Sequence, residues 1–172
     1  MESLHHASAL VEHYVATYGV AALAAIIFFE SLGLPLPGES ALIAASLLAV
    51  HGDLSIAQVA AAGFLGAVTG DSTGYAIGRV GGRSLLQRFG PHLGLTAARL
   101  QNLEAQFHKW GALLVMAARF IVILRQLNGL VAGAMAMPWF RFVAANVIGA
   151  ILWIALWTLG PYFFTETFMK YR

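Results

Sequence analysis

Four ionisable side chains stand inside long apolar stretches of this sequence. Glu30 and Glu39 lie between an apolar run that ends at residue 29 and another that begins at residue 41, and Arg119 and Arg125 interrupt a second apolar region. Ionisable groups inside membrane segments are expensive and are read as functional by default. An arginine fork binds phosphate or carboxylate bidentately, and a carboxyl group in a poorly hydrated cavity can exchange a proton. We therefore take these four side chains as candidates for anion binding and proton exchange.

The chain is broken between the two glutamates by two prolines and two glycines, at Gly33, Pro35, Pro37 and Gly38. Each proline removes a backbone donor and biases the preceding residue away from helix. The apolar run 41–50 is about 15 Å of helix against a hydrocarbon core of about 30 Å. We predict a re-entrant hairpin over 19–50 with both acids at its tip. A single span over 14–34 is the alternative.

Composition sets the class of protein. The 172 residues are 59% hydrophobic and 10% charged, whereas soluble domains have about 45–50% and about 25%. This excess indicates an integral membrane protein. The absence of cysteine excludes disulfides and thiol catalysis, and the net charge of +2 gives no reason to expect a nucleic-acid partner. The N-terminus lacks the basic region of a signal peptide.

Hydropathy and charge predict the remaining elements of one membrane domain over 1–172. They are an interfacial helix over 1–18, a transmembrane helix over 56–79, a cytoplasmic amphipathic segment over 80–110, a second re-entrant hairpin over 111–137, a transmembrane helix over 138–160 and a tail over 161–172. Residues 79–109 contain five of the ten Lys and Arg residues, which is why this region is expected on the cytoplasmic side.

A glycine row marks the first long helix, at Gly66, Gly70, Gly74 and Gly78. Four-residue spacing puts these glycines on one face, where another backbone can approach closely. Asp71 lies beside the row as a possible accessory residue, either on a proton path or bonded to a neighbouring helix. On the last long helix Asn146 is expected on the packing side, also as an accessory residue. Trp153 and Trp157 are expected as packing residues or toward a membrane interface, rather than as a ligand cage.

The two halves of the chain share one order of elements, a broken hairpin followed by a long helix. A shift of 83 residues also places the Gly-Ala pair at 66–67 on the pair at 149–150. One crossing separates the hairpins, so they would enter from opposite faces and meet near the midplane, as in inverted-repeat transporters. The predicted fold is an all-α polytopic membrane protein with two opposed re-entrant hairpins. Its acidic tip would face Arg119 and Arg125 on the other tip.

These motifs resemble the DedA family, which shares its domain with eukaryotic lipid scramblases. The resemblance is carried by Phe-Phe-Glu-Ser and Pro-Leu-Pro-Gly-Glu-Ser within 28–40, Gly-Asp-Ser-Thr-Gly-Tyr-Ala-Ile-Gly-Arg at 70–79, Arg119-Phe and Arg125, Ala-Gly-Ala-Met at 132–135, and Phe142, Asn146, Gly149-Ala and Trp153. It implies a bacterial inner-membrane location, opposed hairpins, and translocation of a lipid such as undecaprenyl phosphate driven by the proton motive force. It also implies essential acids at Glu30 and Glu39 and essential arginines at Arg119 and Arg125. Two features depart from the family pattern, the absence of proline in 121–124 and of a further C-terminal span.

We therefore expect a transporter of an anionic lipid, with membrane lipids and protons as its partners. Two alternatives stay open, a proton-coupled small-ion transporter and a structural membrane protein whose four charges form an ion-pair latch. The sequence has no Walker loop, His-Glu-x-x-His or Gly-x-Ser-x-Gly motif, so we expect neither an enzyme nor a bound cofactor or metal. Association into a homo-oligomer is left open.

Overall fold

A computed structural model of the chain describes residues 18–82, 84 and 97–170. The predicted interfacial helix therefore lies outside the described residues except for residue 18. The described helices are α1 Tyr18–Leu32, α2 Gly38–Val50, α3 Ile56–Ile77, α4 Ala97–Ala118, α5 Val122–Ala134, α6 Trp139–Ile154 and α7 Gly160–Lys170. A π-helical turn, Gly78–Gly82, extends α3, and a second, Ala155–Leu159, joins α6 to α7. No β-strand occurs in these ranges, and the all-α prediction is confirmed.

The first predicted break is present. α1 ends at Leu32, Gly33 adopts a left-handed φ of 122°, and α2 begins at Gly38 after a short irregular segment. Helix α2 has 13 residues, about 20 Å of helix, and is too short to cross a hydrocarbon core of about 30 Å. Two short helices with a polar tip are what a re-entrant hairpin requires, and the re-entrant path itself stays a prediction.

The second break forms without proline. α4 ends at Ala118, and the N–H groups of Phe120 and Ile121 donate to the carbonyls of Ala117 and Ala118 at 3.1 Å. Ile121 is extended (φ −119°, ψ 114°) and directly precedes the 13-residue α5. The turn therefore places Arg119 between the helices.

Helix α4 differs from the sequence-based division of the chain. It runs unbroken over Ala97–Ala118, across the boundary expected between residues 110 and 111. Gly111 is buried there, and a Cβ at this position would lie 3.3 Å from the Met137 sulfur. Glycine keeps its N–H and therefore weakens a helix without ending it, unlike proline.

The glycine row on α3 is confirmed as a packing face. A Cβ at Gly66 would lie 2.5 Å from the carbonyl oxygen of Ala24 in α1. Farther along, a Cβ at Gly74 would lie 3.4 Å from the backbone nitrogen of Leu130 in α5, and one at Gly78 would overlap the carbonyl group of Leu130. One helix thus packs closely against an arm of each broken pair.

Two apolar clusters form the core. The first joins α1 and α2 to the first half of α3 and the end of α6, and the second joins α4 and α5 to the end of α3 and the first half of α6. α3 and α6 therefore run antiparallel past each other. Asp71 lies between Ala67 of the first cluster and Tyr75 of the second, and Asn146 lies between the clusters on α6. A polar layer consequently separates the two apolar clusters.

One of the described helices is long and apolar enough to cross a membrane, by length and composition, the continuous stretch Trp139–Thr165. Its 27 residues include α6 and the start of α7. Helix α3 has 22 residues, about 33 Å, but its Gly, Ser, Thr and Asp side chains lower its hydropathy. Its crossing of the membrane stays a prediction.

Candidate functional site

Arg125 joins the tips of the two broken helix pairs. Its Nη2 lies 2.7 Å from Oε1 of Glu30, and its Nη1 lies 3.7 Å from Oε1 of Glu39. Glu30 belongs to the end of α1, Glu39 to the first turn of α2, and Arg125 to the first turn of α5. The structure thus brings together three of the four predicted charges.

The break between α1 and α2 also orients Glu30. The backbone N–H of Gly38 donates to Oε1 of Glu30 at 3.2 Å, and a Cβ at Gly38 would overlap the Glu30 carboxylate. Glycine is therefore required here for close approach of the backbone to the acid. At the opposite side of the contact, a Cβ at Gly33 would lie 3.5 Å from the carbonyl oxygen of Gln126, so the two tips touch.

The two glutamates differ in their access to the surroundings. The side chains of Glu30 and Arg125 are each 3% exposed, whereas that of Glu39 is 29% exposed. An ion pair loses strength with solvent screening and with distance. The Glu30–Arg125 contact is therefore the close, buried ion pair, and Glu39 is the acid of this cluster that is partly accessible from outside the protein.

Arg119 does not follow the sequence-based expectation that both arginines face both glutamates. Its Nη2 lies 2.5 Å from Oδ2 of Asp71 and also donates to Oδ1 of Asn146. α4 packs against α6, and the side chain of Arg119 passes Gly149, where a Cβ would lie 3.1 Å from its Cδ. This path directs the guanidinium to α3 and α6 and away from the α1–α2 tip.

Asp71 and Asn146, both accessory residues in the sequence-based prediction, are thus the partners of Arg119. The side-chain amide of Asn146 also donates to the carbonyl of Val68 at 3.3 Å. The sequence leaves two roles open for Asp71, a bond to a neighbouring helix or a place on a proton path. Its ion pair is with Arg119 in the turn after α4, and a role on a proton path stays a prediction.

The two charge clusters are neighbours. Arg125 is close enough to interact electrostatically with both Asp71 and Arg119. Two cations and three acids therefore share one mostly buried region between the apolar clusters.

Several polar atoms of this region are buried and have no hydrogen-bond partner among the described residues. They are Oε2 of Glu30, Oδ1 of Asp71, Nε and Nη1 of Arg119, and Nε and Nη1 of Arg125. Buried polar groups are normally satisfied, and exceptions call for an explanation such as a ligand or a functional role. The four N–H-bearing atoms are suited to an oxyanion, and the two oxygens to a proton.

Trp153 is a packing residue, the first of the two roles that the sequence leaves open for it. It is 1% exposed, and Cζ of Arg125 lies 4.7 Å from its ring centroid. α6 continues past this point into α7, so Trp153 lies within a long helix and faces its partners. Positions 146, 149, 150 and 153 share one helical face, a pattern that could have indicated its burial.

No group of three His, Asp or Glu side chains that could hold a metal ion occurs within the described ranges. Arginine is not a metal ligand, and the acids are paired with arginine.

Comparison with known proteins identifies the family. The VTT domain model matches residues 36–163, which include Arg119, Arg125 and Glu39 but not Glu30. Protein DedA of Escherichia coli (strain K12) is 34% identical over 167 residues, which cover 92% of this chain and 76% of that protein. The chain belongs to the VTT-domain (DedA) family.

Other relatives support a membrane location. An uncharacterized membrane protein of Mycobacterium tuberculosis (strain ATCC 25618 / H37Rv) is 42% identical over 145 residues, 81% of this chain and 66% of that protein. Undecaprenyl phosphate transporter A of Bacillus subtilis (strain 168) is 31% identical over 121 residues, 70% of this chain and 61% of that protein. The chain thus spans about two thirds of the length of these two relatives. No solved structure matches it.

Proposed function

We propose that this protein translocates an anionic lipid, first of all a polyprenyl phosphate such as undecaprenyl phosphate, across the bacterial inner membrane with proton coupling. In this proposal Arg119 and Arg125 bind the phosphate, and Glu30 and Glu39 exchange protons. The name of the Bacillus subtilis relative supports the choice of lipid. Two re-entrant hairpins that meet at the charge clusters are part of the same proposal.

The observation that carries the proposal is the sharing of Arg125 between two carboxylates. Its guanidinium contacts Glu30 at 2.7 Å and Glu39 at 3.7 Å, and its Nε and Nη1 have no hydrogen-bond partner among the described residues. A phosphate that binds Arg125 competes with the carboxylates for the positive charge of the same guanidinium group. Because a protonated carboxyl no longer offers a negative charge, uptake of a proton by Glu30 favours its replacement by phosphate.

This competition gives a mechanism of coupling. With Glu30 ionised, the cluster holds an internal ion pair and does not need a ligand. With Glu30 protonated, Arg125 becomes a buried cation without its close partner, a costly state that an anion relieves. Glu39, which is 29% exposed, can relay the proton between Glu30 and the surroundings.

Arg119 supplies the second positive charge. Asp71 and Asn146 both contact its Nη2, so its Nε and Nη1 remain available. When Glu30 and Glu39 are both protonated, the two guanidinium groups and the Asp71 carboxylate carry a net charge of +1, which a singly charged phosphate neutralises. The neutral site that results would lower the cost of moving the headgroup between leaflets.

The direct test is lipid flipping by the purified chain in phospholipid vesicles. A polyprenyl phosphate with a fluorescent label is added to both leaflets, and an impermeant reductant then bleaches the outer label. We expect the protein to expose the inner-leaflet label to the reductant, and to do so faster when a pH gradient is imposed. The protein should have no effect on a labelled polyprenol that lacks phosphate.

Arg125→Gln and Arg141→Gln form a matched pair for this assay. Arg141 is exposed, so Arg141→Gln should flip lipid within about twofold of the wild-type rate. Arg125→Gln should lower the flipping rate by at least about 30-fold, because loss of a buried charged partner costs roughly 2–5 kcal/mol. Unchanged flipping in Arg125→Gln would mean that Arg125 is wrongly assigned to the phosphate site. Proton-coupled flux of a small ion in vesicles without polyprenyl phosphate, together with no flipping, would support a small-ion transporter.

A further inference from the structure

The guanidinium of Arg125 has a third neighbour that carries no charge. Cζ lies 4.7 Å from the ring centroid of Trp153, and the ring is 1% exposed. Trp153 belongs to α6 and to the first apolar cluster, whereas Arg125 belongs to α5. The contact therefore fixes an arginine at the start of α5 against the first apolar cluster.

The aromatic contact and the carboxylate contacts use different parts of the guanidinium. Glu30 and Glu39 face Nη2 and Nη1, while the ring lies beside the central carbon. The negative face of an aromatic ring attracts a cation without taking any of its N–H donors. The ring thus leaves those donors free for whichever oxyanion occupies the site.

We infer that Trp153 is a positioning residue that holds Arg125 in place while its oxyanion partners are exchanged. This inference rests on the proposed function. The carboxylates lose their charge when they bind a proton, but the quadrupole of the ring does not change with protonation. The ring therefore keeps an attraction for the guanidinium during the step in which Glu30 no longer supplies one.

The chemistry of Trp153 fits this role better than plain packing. Its indole N–H is buried and has no hydrogen-bond partner in the described part of the chain, although a buried tryptophan usually finds one. Leucine or phenylalanine would fill an apolar core without such a cost. Tryptophan is also the strongest of the aromatic side chains in attracting a cation.

The test compares Trp153→Phe and Trp153→Leu with the same changes at Trp157. Trp157 lies four residues on, is half-buried and packs against the same apolar cluster, so it controls for the loss of a large ring. In the flipping assay we expect Trp153→Leu to raise the half-saturating lipid fraction at least tenfold, while its maximal rate stays within about threefold of the wild-type rate. Trp153→Phe keeps a ring and should raise the half-saturating fraction less. Either change at Trp157 should alter the half-saturating fraction less than twofold.

A second measurement does not need transport. The melting temperature in detergent is compared for the full chain, Trp153→Phe, Arg125→Gln and the double variant. We expect Trp153→Phe to lower the melting temperature more when Arg125 is present than in the Arg125→Gln background.

The two measurements separate the possible failures. Equal losses of melting temperature in both backgrounds, or equal effects of leucine at 153 and 157 on half-saturation, would overturn the inference. A wild-type chain that flips no polyprenyl phosphate but shows the coupling would overturn the proposed function and leave the Trp153–Arg125 contact established.

Discussion

Arg119 and Asp71 form an ion pair with no exposed side-chain surface on either partner. The distance from Nη2 to Oδ2 is 2.5 Å, and both side chains have 0% exposure. The pair joins the turn after α4 to the middle of α3, and Asn146 adds α6 to the same contact. It stands next to a second pair, Arg125–Glu30, whose further acid Glu39 is partly exposed. The more enclosed pair is suited to hold the fold, and the more open pair to exchange partners.

Removal of either partner of the enclosed pair should destabilise the fold. Asp71→Asn or Arg119→Gln leaves an uncompensated buried charge, which costs about 3–5 kcal/mol. The double variant should cost less than the sum of the single changes because the partners interact directly. The free energy of unfolding in mixed detergent micelles measures this, with the exposed Arg141→Gln as control. Single variants as stable as the control would contradict the assignment.

Replacement of Glu30 and of Glu39 should differ in the cost to stability but agree in the effect on transport. Glu30→Gln removes the 2.7 Å partner of a buried arginine and should cost about 3–5 kcal/mol. Glu39→Gln removes a partly exposed contact at 3.7 Å and should cost about 0–1 kcal/mol. Under the proposed function both changes abolish the response of flipping to a pH gradient. If Glu39→Gln left that response intact, the proton would have to use another route.

Glycines in the first π-helical turn provide a sharp packing test. A Cβ at Gly78 would overlap the carbonyl group of Leu130 and lie 3.0 Å from the nitrogen of Ala134, whereas a Cβ at Gly81 would meet nothing within 4 Å. Backbone atoms of α5 cannot move aside as a side chain can. Gly78→Ala should therefore destabilise the chain by about 1–3 kcal/mol or more, and Gly81→Ala by much less. Equal melting temperatures would show that α3 and α5 pack less closely than described.

The breaks and the glycine row could be predicted from the sequence because their signals are local. The prolines and glycines between the two glutamates restrict the backbone whatever surrounds them, and a four-residue glycine spacing defines a helical face by itself. The sequence also indicates where α4 ends, because Arg119 follows the apolar run 111–118. These local signals place Glu30, Glu39 and Arg125 at helix ends, and the repeated order of elements adds the expectation that these ends adjoin.

The pairing of the charges could not be predicted because it depends on tertiary paths. Arg119 reaches Asp71 because α4 continues through Gly111 and packs on α6 at Gly149. No property of residues 111–125 alone decides which of three acids an arginine meets. The sequence leaves packing and interface roles open for Trp153 for a related reason, since tryptophan is common both at membrane interfaces and in cores, and only the rotation of α6 distinguishes them.

The glycine at the start of α2 gives a test of Glu30 that leaves every charge in place. In Gly38→Ala the new Cβ would overlap the Glu30 carboxylate and lie 2.7 Å from Cδ1 of Ile27. The acid is the end of a flexible side chain, so it should turn away from Arg125 while the helices stay formed. We expect at least a tenfold loss of flipping, about 1.4 kcal/mol, with unchanged helix content.

Gly19→Ala in α1, where a Cβ would meet nothing within 4 Å, should flip lipid at the wild-type rate. Wild-type flipping in Gly38→Ala would mean that the 2.7 Å contact between Glu30 and Arg125 is not required for transport.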